Sequence, residues 1–208
     1  MMRPLTTTTT TPAESRDLVL LADVREQLSF KSTDTSQDAW LSKAITRASR
    51  QAEGYCNRIF VQQTYRDYFT TICGIPGWPL ILGQAPIVSV TVTVDGAASP
   101  LDPSNFIIDA DPAHLYWIAD SNGWSAQTSI VIDYTAGFEP IPDDVQQAVI
   151  ELSVMEFRAR GRDPMLRERE TPGLGREMFW IGPPPGGATA LPSDICGLLD
   201  GYARSLVG

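Results

Sequence analysis

The chain is poor in the residues that carry chemistry. Its 208 residues include one histidine, His114, and three cysteines, Cys56, Cys73 and Cys196. The lone imidazole lies in "DPAHLYWI", at the start of a predicted strand, and forms no part of a Ser-His-Asp, Cys-His or multi-histidine arrangement. It reads as a structural or surface histidine. Three scattered cysteines are too few for a disulfide framework or a zinc site, and they read as buried free thiols in a reducing compartment. No run approaches the ~20 apolar residues of a membrane span. The N-terminal "MMRPLTTTTTTPAES" lacks the apolar region of a signal peptide. Cations are scarce as well. Sixteen Lys plus Arg against 25 Asp plus Glu give a formal net charge of −9, which argues against a grip on nucleic acid, because phosphate binding is driven by clustered cations. It leaves open an acidic wall that nucleic acid passes without sticking.

The remaining motifs resolve into structural readings. "GIPGW" and "GPPPGG" follow neither the G-x-G-x-x-G nor the Walker pattern between strand and helix, and read as turns or extended linkers. The carboxylates of "PDD" sit where a helix begins and favour its dipole. Tyr65, Tyr68 and Phe69 imitate a base-stacking platform, but the basic residues that should interleave them are missing, so a sheet core is the reading. No catalytic, metal or cofactor constellation emerges.

Present instead is a change of period. With 43% hydrophobic and 20% charged residues, the composition suits one sizeable core, or one core with a satellite. Leu21, Val24 and Leu28 share a face of a short helix. A longer helix follows, opened by a capping-box spacing of Thr35 and Asp38. Its buried stripe is Leu41, Ala44, Ile45, Ala48, Ala52, Tyr55 and Ile59, with Arg47, Arg50 and Glu53 on other faces. After Phe60 the period drops to two. "TYRDYFTT", "VSVTVTVDG", "NFIID", "HLYWI" and "SIVIDYT" read as short strands separated by turn-rich clusters. Helix returns after Pro142, with one stripe of Val145, Ala148, Val149, Leu152 and Met155 and a second of Ile150, Val154 and Phe157. A helix apolar on two sides is buried on two sides.

The reading is therefore an α+β fold: a small helical bundle (18–59 and 140–161) with an inserted antiparallel β subdomain (60–139). An arm, disordered when the protein is alone, precedes it (1–17). An extended C-terminal arm (162–208) follows and ends in a short helix. That arm has no period from Asp163 to Leu191. It places the apolar cluster Met178, Phe179, Trp180 and Ile181 directly before "GPPPGG", which no helix or central strand accommodates. Its last helix, with Ile195, Leu198, Leu199, Tyr202 and Leu206 on one face, carries Gly197 and Gly201, each costing ~1 kcal/mol relative to Ala. Such a helix needs a surface to fold against.

The order of these signals resembles the head–tail connector (adaptor) proteins of long-tailed bacteriophages and gene transfer agents. The resemblance runs from about Leu18 to Arg204. It is carried by "AEGYCNRIF", "GQAPIVSVTVTVDG", "IVIDYTAGFEPIPDDVQQAVIELSVMEFRARGR" and "LPSDICGLLDGYAR"; the six-threonine arm has no counterpart in it. It implies a non-enzymatic virion protein forming a ring, typically of twelve copies, between the portal and a tail-side stopper or neck protein. Double-stranded DNA would pass through without sequence-specific binding, and no membrane is involved. Assembly would take place in the host cytoplasm. It further implies a C-terminal arm docked on the portal through Met178, Phe179, Trp180, Ile181, Leu191, Ile195, Leu198, Leu199 and Tyr202; the alternative is an arm folded against its own subunit as a satellite core. Ring contacts are expected at Ile150, Val154 and Phe157. The alternative is a tail-fibre or baseplate module recognising its target through the β subdomain, for which "DSNGW" is the only hint.

Overall fold

The computed structural model describes residues 2–31, 33–70, 78–97, 99–119, 123–126, 129–160, 168–171, 175–178 and 191–204. They fall into two compact units, Met1–Ser15 with Arg58–Pro140, and Arg16–Asn57 with Ile141–Gly208.

The first unit is built from strands. β1 (Thr6–Thr11), β2 (Gln63–Thr70), β4 (Ile87–Val94) and β7 (Ser129–Ala136) form an antiparallel sheet in the order β1-β2-β7-β4. β3 (Leu80–Ile81), β5 (Phe106–Asp109) and β6 (His114–Trp117) form a second, in the order β3-β6-β5. Strict alternation drives the two central strands, β2 and β7. Tyr65, Asp67 and Phe69 of β2 point inward, as do Ile130, Ile132, Tyr134 and Ala136 of β7. Tyr65 faces Tyr134 across the ladder with ring centroids 5.5 Å apart. Leu80, Leu82, Val92, Phe106, Leu115 and Trp124 complete the core. On the outward side, Arg66 is opposite Asp133 and forms a bidentate pair with it, Nε–Oδ1 2.6 Å and Nη2–Oδ2 2.9 Å.

Three features depart from the sequence expectation. The threonine arm, expected to be disordered, pairs antiparallel with β2, and all six threonines stay exposed. Main-chain pairing holds it, together with Thr8 and Thr10 hydroxyls donated to the carbonyls of Arg66 and Thr64. At its start, Met2 bridges to β3 by donating to Pro79 O and accepting from Ile81 N–H. In β4, a register shift between Ile87 and Ser89 reverses the alternation, so Ile87 is buried while Val88 is exposed. The two-residue strand β3 is too short for any period.

The second unit is helical. α1 (Leu21–Gln27), α2 (Asp38–Cys56), α3 (Asp143–Ala159) and α4 (Ser193–Leu199) pack together, α2 and α3 along their small-residue stripes. Leu41, Ala44, Ile45, Ala48 and Ala52 of α2 are buried, as are Val145, Ala148, Val149 and Leu152 of α3. The expected capping box does not form. Asp38 spends its carboxylate on the Arg25 guanidinium (2.8 Å), and Asp34 stabilises the preceding turn by accepting from Ser36 N–H and Oγ–H. The helix stops at Asn57, whose left-handed φ of 49° ends it before Ile59. Glu53, expected on an outer face, is 5% exposed and held between Arg16 and Arg50, which neutralise it. Buried Ser49 accepts the Leu18 N–H at 3.1 Å, fixing the segment that enters α1. Within the segment read as aperiodic, β8 (Glu168–Thr171) and β9 (Gly175–Met178) form an antiparallel hairpin.

Candidate functional site

Among the described residues no cluster of three or more His, Cys, Asp or Glu is placed to hold a metal. His114 sits on the outward side of the smaller sheet, Nδ1 3.3 Å from the Tyr116 hydroxyl. The features that remain are polar locks and exposed surfaces.

Asp67 is fully buried in the β unit. Its Oδ2 accepts from Gly83 N–H at 2.8 Å and from the Tyr134 hydroxyl at 3.2 Å, and that hydroxyl in turn accepts from Gln84 N–H at 3.1 Å. Burial pushes the Asp67 carboxyl above its ordinary value, opposed by Gly83 N–H and by the Thr7 and Tyr134 hydroxyls. Burial, followed by the neighbouring Asp67 charge, pushes the Tyr134 phenol up as well. The cluster ties four segments together: β1 through Thr7, β2 through Asp67, the β3–β4 connection through Gly83, and β7 through Tyr134. Gly83 is required by the closeness of β1, since a Cβ there would lie 2.4 Å from Thr7 Oγ1. Oδ2 and the Tyr134 hydroxyl are spent on neighbours within the unit, while the buried Oδ1 of Asp67 has no hydrogen-bond partner among the described residues; the arrangement is a clasp held through Oδ2. The alternation of "TYRDYFTT" places Asp67 between two buried aromatics, a signal legible in the sequence. Its partners are remote in the chain and gave none.

The helical unit carries an open depression of about 640 Å³ lined by Phe30, Asp34, Ser36, Gln37, Phe157 and Arg160. Beside it, Trp40 is flanked by the guanidinium groups of Arg47 and Arg160, 5.8 and 5.4 Å from its ring centroid. Ser36 and Asp34 are the only reactive-looking pair in the lining. The Ser36 hydroxyl and N–H hold the Asp34 carboxyl below its ordinary value, which makes it an acceptor and a poor general base.

The residues expected to dock on a partner divide sharply. Leu191, Ile195 and Leu199 are buried, with α4 packed on α2 and α3 of its own unit. The helix is latched there by the Tyr55 hydroxyl donated to Asp200 and by Arg204 N–H donated to Cys56 O at 2.9 Å. The expectation that this helix needs another protein to bury it is corrected: its own subunit supplies the surface. Leu198 and Tyr202 are half-buried. Met178 ends β9, while Phe179, Trp180 and Ile181 lie outside the described residues. Among the expected ring contacts, Val154 is 6% exposed and Phe157 packs edge-on against Phe30 (5.6 Å) and Trp40 (5.5 Å). The second apolar side of α3 therefore serves its own unit, and Ile150 stays half-buried. Sequence reasoning missed the exposed apolar residues of the β unit, among them Ile107, Ile108 and Tyr116 on the smaller sheet, Ile118 just after it, and Leu5, Tyr68, Trp78 and Val88 elsewhere.

No protein-family profile and no curated protein matches the chain. Solved structures do. One chain from the neck of an empty gene transfer agent particle, computed with C6 symmetry, is 20% identical with a TM-score of 0.59, covering 98% of this chain and 99% of that one. A chain from the virion of a native gene transfer agent particle is 19% identical at a TM-score of 0.58, with the same coverage. A third, from the neck of a native particle computed with C12 symmetry, is 20% identical at 0.55. The likeness is one of fold, and it extends from end to end.

Proposed function

We propose that this chain is a structural neck protein, a head–tail connector (adaptor) of a gene transfer agent or tailed phage. Twelve copies form a ring between the portal and the next tail-side protein, around the channel for double-stranded DNA. The supporting observation is the fold likeness over 98% of this chain and 99% of a neck chain. A twelve-copy ring is compatible with both symmetries carried by the similar particles, C6 and C12. The formal charge of −9 suits a wall that DNA passes without adhering, since cations are what hold phosphate.

The portal contact then rests on the segment around Met178, Phe179, Trp180 and Ile181, because α4 is engaged by its own subunit. Ile150 remains the ring-contact candidate on α3. The protein acts in the virion after assembly in the host cytoplasm, and its role is non-enzymatic. Electron microscopy of the full-length protein mixed with its portal tests the reading. The expected image is a closed ring at one face of the portal; a protein that stays monomeric and separate from the portal overturns it.

A further inference from the structure

β1 is an edge strand whose outer side pairs with no other strand among the described residues; its inner side pairs with β2. The opposite edge of the sheet is partly covered: Val92 O accepts from Leu101 N–H at 2.7 Å, and Ile87 N–H donates to Ala110 O at 3.0 Å. Exposed edges are ordinarily protected by charge, proline or distortion. β1 has six β-branched, uncharged residues and no proline, all exposed. Its one irregularity is the register shift between Thr9 and Thr11, which leaves Thr6–Thr9 as a regular stretch. Such a stretch is a template for one more strand.

The same chain holds a segment with the complementary need. β8 and β9 have four residues each and pair only with one another among the described residues. A two-stranded hairpin is marginal in water, and a third strand is what stabilises it. Its four-residue strands match the regular length of β1.

We propose that the outer edge of β1 receives the β8–β9 hairpin of a neighbouring copy of this chain by main-chain hydrogen bonding. The two surfaces differ, so each copy offers one edge and one hairpin, and the contact repeats head to tail. Contacts of that kind close into rings when the rotation permits. The inference thus rests on the ring reading above and adds the contact that joins successive copies.

Hydrogen exchange on the full-length chain, compared between dilute protein and assembled ring, tests it. In the ring, the β1 amides facing away from β2 and those on one outer edge of the hairpin should slow at least tenfold together. If these amides stay fast in the ring, or are already slow in dilute monomer, the proposal falls. Thr8→Pro and Thr9→Pro provide a second test, because adjacent strand amides point to opposite sides. One proline removes a bond to β2; the other should leave the monomer's melting temperature unchanged and reduce ring formation at least tenfold. Rings that form normally with both variants count against the edge. Failure to form any ring, even with the portal, defeats the ring reading and this proposal with it. Rings with fast β1 amides defeat this proposal alone.

Discussion

Replacing Gly83 with alanine would test the clasp that holds the threonine strand. A Cβ at that position would lie 2.4 Å from Thr7 Oγ1, 3.0 Å from Thr7 Cγ2 and 3.2 Å from Thr7 Cβ. The first distance is far inside van der Waals contact, so Thr7 or the β3–β4 connection must move. Overpacking of this kind costs about 1–3 kcal/mol. Loss of glycine's freedom in the unfolded chain offsets about 0.4–1 kcal/mol of it. The net expectation for Gly83→Ala is destabilisation by roughly 1–2 kcal/mol, with faster exchange of the β1 amides. Thr7→Ala alone forfeits a hydroxyl that supports buried Asp67, at a cost of about 1 kcal/mol. The double variant removes the clash, because Oγ1 and Cγ2 are gone and the 3.2 Å contact is the only tight one left. Denaturant unfolding should find it more stable than the two single losses predict, by about 1–2 kcal/mol of coupling. Additivity within about 0.5 kcal/mol, or a Gly83→Ala protein whose β1 amides exchange as in wild type, would refute the clasp.

Three further outcomes are expected. Leu199→Ala should cost about 2–5 kcal/mol in urea unfolding, because Leu199 is fully buried in its own unit; a loss near zero would return α4 to the role of a docking arm. Val154→Asp should unfold the helical unit in circular dichroism, since it buries an unpaired charge at a cost of several kcal/mol. A folded variant defective only in ring formation would contradict that. Asp67 has a folded pKa raised by burial above its ordinary 3.8, so the folded state binds the proton more tightly than the unfolded chain does. The contribution of Asp67 to stability is then fully present below 3.8 and is lost as pH rises through the folded pKa. In Asp67→Asn this fall should vanish from the pH profile of the melting temperature, and an unchanged slope would argue that Asp67 does not set it.

What could be read from the sequence was whatever carries contrast along the chain. The stripe from Leu41 to Ala52 and the alternation in β7 set apolar against polar at a fixed period, and both are buried as that period requires. Six identical threonines offer no contrast, so a strand held by its main chain looked like a disordered arm. Val88 was illegible for a different reason: a single register shift inverts the face of a residue without changing the sequence pattern. Glu53 looked exposed because a carboxylate on a helix is usually solvated, and its burial depends on Arg16, 37 residues away.

The same distinction bears on the proposed role, which is supported by a likeness of fold and by no side-chain motif. Side-chain chemistry leaves motifs that a sequence displays. Assembly surfaces leave none when they are made of backbone. The apolar residues first assigned to contacts illustrate this. Val154, Ile195 and Leu199 are what a helical unit needs for its own core, and apolar periodicity cannot distinguish a core face from an interface. An open edge such as β1 carries the opposite signature, polar and uniform, with pairing capacity that does not depend on side-chain identity. In a ring built by repeating one contact, such an edge can change sequence freely while keeping its function. Substituting Thr6, Thr8 and Thr9 with valines or serines should therefore preserve assembly, whereas one outward-facing proline should reduce it at least tenfold. The reverse result would place the contact in the side chains.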